Sequence, residues 1–151
     1  MLKYYDTAIV FQEIPDEISL AINITNCPHR CENCHSAYLR EDIGTELTFE
    51  EMWNLIKKHP DITCVLFMGG DSSHNDIVYL TNYIHTAFDL KVAMYSGDDE
   101  IDDRLLRYLD YYKYGSYQED KGPLNKPTTN QRLLKITNKE VKDITYRLQE
   151  K

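Results

Sequence analysis

Ile18-Ser19-Leu20-Ala21-Ile22-Asn23-Ile24 is dense in β-branched and apolar residues, and three residues beyond it Cys27-Pro28-His29-Arg30-Cys31-Glu32-Asn33-Cys34 begins. The first run reads as a strand. The cysteines therefore follow a strand's carboxyl end directly. Downstream, Thr48 stands three residues before Glu51, a capping-box pattern, and Met52, Leu55 and Ile56 recur at helical spacing until Pro60. Ile62-Thr63-Cys64-Val65-Leu66-Phe67-Met68 is a continuous apolar run of strand length halted by Gly69-Gly70, the pattern of a strand buried on both faces. Ile77, Leu80, Ile84 and Ala87 mark a second helix, Leu90 to Tyr95 a third strand, and Ile101, Leu105, Leu106 and Leu109 a third helix.

Strands that alternate with helices predict an α/β fold with right-handed crossovers and a parallel sheet. In such sheets ligands bind on the loops beyond the strands' carboxyl ends. The cysteine loop, Gly69-Gly70-Asp71 and Ser96-Gly97 all fall on that rim. Farther along, Asp110 to Gly115 and Arg132 to Thr137 read as short strands, and Ser116 to Gln131 as a loop holding Pro123 and Pro127. Without a repeat, a low-complexity tract or a Gly/Ser linker, residues 1–151 are expected to form a single domain.

Composition narrows the function. Hydrophobic residues make up 42% and charged residues 28%, as in an ordinary globular protein. The net charge of -8 disfavours a nucleic-acid partner, and the dense run from Gly97 to Asp103 is acidic. No apolar run approaches the ~20 residues of a membrane helix, and the first residues lack a signal peptide's apolar core. A cytoplasmic location is the expectation. In a reducing cytosol, four cysteines with three inside eight residues point to metal ligation or thiol chemistry rather than to disulfides.

The spacing C-x3-C-x2-C of Cys27, Cys31 and Cys34 lets one loop wrap three thiolates around three corners of a cubic iron-sulfur cluster. Cys64 sits mid-strand in an apolar run, where a buried inert thiol is expected. The fourth iron is then open to a small-molecule ligand, as an open position marks a catalytic zinc site. Two alternatives stand on the residues alone: such a cluster, or a structural zinc held by the three cysteines plus His29 or His35. Zinc sites more often come as C-x2-C pairs. His59, His74 and His85 have no metal spacing among them and read as surface residues. Thr128-Thr129-Asn130-Gln131 reads as a loop satisfying its own polar groups.

The cysteine motif after the first strand of an α/β chain resembles the radical S-adenosylmethionine (SAM) superfamily. Gly69-Gly70-Asp71 resembles that superfamily's GGE motif, with Asp71 in place of the usual Glu, and Asn33 stands where an aromatic residue often precedes the third cysteine. The short chain and its Gly122-to-Leu133 segment are similar to the activating enzymes of anaerobic ribonucleoside-triphosphate reductases, over about residues 8 to 137 by element order. This resemblance implies a partial, open βα barrel and a 4Fe-4S cluster on Cys27, Cys31 and Cys34. It also implies SAM near Asn33, Cys34, His35 and Gly70, supported by Gly69, Asp71 and Ser96. The implied partners are the large reductase subunit, whose glycine would lose a hydrogen, and a one-electron donor such as flavodoxin or ferredoxin. No side chain is implied as acid or base, because the cofactor supplies the hard chemistry.

Overall fold

A computed structural model of the chain describes residues 1–26 and 41–149. The described strands are β1 (Lys3–Val10), β2 (Ser19–Ile24), β3 (Thr45–Glu46), β4 (Cys64–Met68), β5 (Lys91–Tyr95), β6 (Tyr111–Tyr114), β7 (Arg132–Thr137) and β8 (Glu140–Asp143). The helices are α1 (Phe49–Lys57), α2 (His74–Ala87) and α3 (Asp103–Tyr108), with a 3-10 turn over Thr145–Leu148. One eight-stranded sheet runs in the order β3-β1-β2-β4-β5-β6-β7-β8.

The centre, β2, β4, β5 and β6, is parallel. Each crossover steps one place in the same direction, so right-handed connections put all three helices on one face. Val65, Phe67, Val92, Met94 and Tyr112 point into that helical layer, against Leu55, Ile77, Leu80, Ile84 and Leu105. Alternate residues Ala21, Cys64, Leu66, Ala93, Tyr111 and Leu133 form the opposite face, closed by Ile14 from the β1–β2 connection and Ile144. Both faces of β4 are buried, as its unbroken apolar run demands. The caps agree with the sequence: Thr48 accepts from the Glu51 amide at 3.0 Å. Ser73 does the same for Asp76 at 3.3 Å.

One expectation needs correction. The sheet is mixed rather than wholly parallel, because antiparallel strands flank the centre on both sides. It is open, with β3 and β8 as its edges, and no closed barrel is formed among the described residues. Three strands escape the sequence reading. β1 carries a register shift between Tyr4 and Thr7, which breaks the two-residue alternation, and much of it is exposed. β3 has two residues. β8 is fully exposed and joins β7 through Asn138 and Lys139, both at positive φ, a tight two-residue hairpin turn.

Candidate functional site at the carboxyl rim of the sheet

β2 ends at Ile24, and the chain is then pinned. The Thr25 amide donates to the Lys3 carbonyl at 2.9 Å and its hydroxyl donates to the Ile43 carbonyl at 2.6 Å. Asn26 turns through φ 59°, a left-handed conformation that Asn tolerates, and its amide donates to the Glu41 carbonyl at 2.9 Å. Residues 26 and 41 thus meet at the rim. The predicted ligands Cys27, Cys31 and Cys34, and the predicted SAM neighbours Asn33 and His35, lie between them, outside the described residues.

The next loop follows β4. Gly69 and Gly70 have φ of 110° and 116°, a region closed to side chains. A Cβ on Gly70 would lie 2.6 Å from Ile77 Cδ1, and one on Gly69 would lie 3.4 Å from Ile24 Cβ at the end of β2. The Gly69 amide donates to the Tyr95 carbonyl at 3.0 Å, tying this turn to the end of β5. The glycine pair is therefore a conformational requirement at the rim, immediately beside the strand that leads to the cysteines.

Asp71 and Ser96 come together. The Asp71 side chain is 3% exposed and spans two loops: Ser96 Oγ donates to Oδ1 at 2.7 Å and the Gly97 amide to Oδ2 at 2.8 Å. Ser96 is itself buried, and its Oγ accepts from the Asp98 amide at 3.0 Å. Beneath it, the buried Lys113 of β6 donates to the carbonyls of Ser96 and Gly115, both at 2.9 Å.

His74 departs from the surface role expected of it. It opens α2, its side chain is 14% exposed, and both ring nitrogens meet carboxylates: Nε2 lies 2.9 Å from Asp71 Oδ1 and Nδ1 lies 2.8 Å from Asp102 Oδ2. The hydrogen bond to Asp71 raises its pKa to about 9; burial opposes the rise and the bond to Asp102 adds to it. Burial pushes the Asp102 carboxyl up, but bonds from His74 and Arg104 outweigh it and set the pKa at about 2. Asp71, His74 and Asp98 bring possible ligand atoms within 4.8 Å of one another. An imidazolium has no lone pair to offer a metal, so this cluster is an ion-pair network first.

Thr128 to Gln131 bond largely within their own loop, Asn130 Nδ2 donating to the Ser116 carbonyl at 3.0 Å, but the buried Asn130 Oδ1 has no partner among the described residues. His85 is exposed, as expected, and pairs with Asp110 at 2.8 Å. Sequence reading missed His74 and Lys113. Their available signals were a histidine three residues past Gly-Gly-Asp and a lone lysine within the apolar strand Tyr111-Tyr112-Lys113-Tyr114.

The family whose model matches this chain is described as a 4Fe-4S single cluster domain, and the match covers residues 18–137. The chain belongs to the 4Fe-4S single cluster domain family. No curated protein and no solved structure matches it. The family's span opens at β2 and closes at the end of β7, so it contains the parallel centre, the whole rim and every cysteine. Cys64 is fully buried and pairs in register with Ser19 and Lys91 at the amino end of the sheet. At ~3.3 Å per residue it lies roughly 16 Å below Ile24. Burial raises its thiol pKa to about 12, which keeps it a neutral thiol. As a 4Fe-4S domain protein the chain is a metal-binding, iron-sulfur protein, and no described helix is long and apolar enough to cross a membrane.

Proposed function

We propose that this 4Fe-4S protein is a radical SAM enzyme of the glycyl-radical activating kind, acting on a glycine of an anaerobic ribonucleoside-triphosphate reductase. The observation that carries the reading is the cysteine inventory. Three cysteines of four are clustered in the segment whose flanks meet at the rim, while Cys64 is buried in the core at the other end of the sheet. A four-iron cluster held by Cys27, Cys31 and Cys34 has one iron without a thiolate, which suits a chelating substrate. When bound, the cluster would supply one electron for the reductive cleavage of SAM to methionine, and the adenosyl fragment released would take a hydrogen atom from the glycine.

The chain's own residues bind and orient. Gly69 presents bare backbone beside the end of β2, where the amino group of SAM's methionine moiety can approach, and Gly70 turns the chain tightly against Ile77. Asp71 holds that turn to Ser96 and Gly97. Asn33 and His35, next to the third cysteine, complete the SAM neighbours. The one-directional strand order and one-sided helices suit a partial βα barrel whose helix-free face admits a polypeptide loop. A flavodoxin or ferredoxin would deliver the electron, in the cytoplasm.

Anaerobic reconstitution with iron and sulfide, followed by spin resonance of the reduced protein with and without SAM, tests this. A four-iron signal that SAM perturbs is expected. Bound zinc with no such signal would sink the reading. Formation of a glycyl radical on the reductase, dependent on this chain and SAM, tests the choice of partner.

A further inference from the structure

A cation at the first turn of a helix opposes the helix dipole, yet α2 begins with His74. Its surroundings explain why. A neutral imidazole has one N–H and one lone pair, and a lone pair pointed at a carboxylate is repelled. Here Nε2 faces Asp71 at 2.9 Å and Asp98 at 3.4 Å, while Nδ1 faces Asp102 at 2.8 Å. Both nitrogens must donate. The ring is therefore an imidazolium bridging two loops: Asp71 belongs to the β4–α2 loop, and Asp98 and Asp102 to the β5–α3 loop.

The bridge continues into the rim. Asp71 takes the Ser96 hydroxyl and the Gly97 amide through its two oxygens, and it directly follows the Gly69–Gly70 turn. If the imidazolium is lost, Asp71 and Asp102 keep their charges in a half-buried cleft with Asp98 beside them, and their repulsion acts to part the loops. Among the described residues, Asp99 and Glu100 line the mouth of this cleft and add negative charge. Arg104 of α3 reaches Asp102 at 3.3 Å but also bonds Asn75, and so serves the outer side. From β6, the Tyr112 hydroxyl accepts from the Asp102 amide at 3.2 Å, and burial raises its own pKa to about 12.

We propose that His74 is a positioning residue which, as an imidazolium, latches the β4–α2 loop to the β5–α3 loop and so holds Gly69–Gly70 and Ser96–Gly97 in the shape that receives SAM. The last clause rests on the radical SAM reading; the latch itself does not. Deprotonation near pH 9 releases it.

The test uses the reconstituted chain of residues 1–151. The His74 ring-carbon and Gly97 amide resonances are followed from pH 6 to pH 10.5, and SAM affinity is measured by equilibrium dialysis over the same range. One shared transition near pH 9 is expected, with SAM binding roughly tenfold weaker above it, the scale seen when a hydrogen-bonded support of a binding group is lost. His74→Gln should bind SAM roughly tenfold more weakly at neutral pH, with no such transition. His74→Arg, which keeps a forked cation at every pH, should restore binding and abolish its pH dependence. Arg also keeps the question answerable if the Gln variant does not fold. A His74 ring that titrates near 6.5, or a Gly97 signal blind to that titration, would overturn the latch. Likewise, SAM affinity in His74→Gln that matches the wild type at every pH would overturn the positioning role. A shared transition without SAM binding at any pH would support the latch and overturn the radical SAM reading.

Discussion

Raising the pH from 6.5 to 9 should cost this protein stability through one side chain, His74. Its folded pKa of about 9 lies above the unfolded value of 6.5, so the folded state prefers the proton. The resulting stabilisation is fully present below pH 6.5, declines as pH rises and is gone above about 9. At 1.36 kcal/mol per pH unit that gap is about 3 kcal/mol, and with a side chain only 14% exposed little of it is screened away. For a chain of this length, about 3 kcal/mol moves the melting temperature by roughly 6–12 °C. Urea unfolding of the wild type and of His74→Gln at half-unit pH steps isolates the effect, because the rising self-repulsion of an acidic chain is common to both. The difference in unfolding free energy should fall from about 3 kcal/mol at pH 6.5 towards zero at pH 9.5. A constant difference across that range would refute the imidazolium.

The remaining expectations concern the cluster and the scaffold. Cys31→Ala should lose the cluster, from about four irons per chain to near none on reconstitution, while Cys64→Ala should keep its iron and lose only about 1 kcal/mol of stability; iron and sulfide counts with urea unfolding decide both. Gly70→Ala places a Cβ 2.6 Å from Ile77 Cδ1 at φ 116°, so it should cost about 1–3 kcal/mol and weaken SAM binding, as melting and dialysis would show. Thr48→Ala removes the α1 cap and should cost about 1 kcal/mol without altering the iron content.

Much of the scaffold was legible because its signals are local. The apolar run from Ile62 to Met68, the Thr48–Glu51 cap and the spacing of Ile77, Leu80 and Ile84 each specify an element within a few residues, and the observed boundaries differ by at most three positions. The flanking antiparallel strands were hidden for equally local reasons. β1 is bulged and partly exposed, and β8 is exposed along its whole length, so neither shows a buried face in its sequence. Edge strands are held by backbone hydrogen bonds, which every residue type can make.

By itself the sequence determined the order of the central strands and helices from β2 to β7, the convergence of Gly69–Gly70 and Ser96 on the rim that leads to the cysteines, and the isolation of Cys64, because periodicity and spacing are properties of neighbouring residues. Tertiary structure decided what those groups touch. That Asp71 turns from the rim into a bond with Ser96 and Gly97, that His74 sits between Asp71 and Asp102, and that Lys113 is buried under Ser96 depend on packing α2, α3 and β6 side by side. Residues 71 and 74, 96 and 102, and 113 come from three separate stretches of the chain, and the charge state of a histidine is fixed by the carboxylates that the fold brings to it.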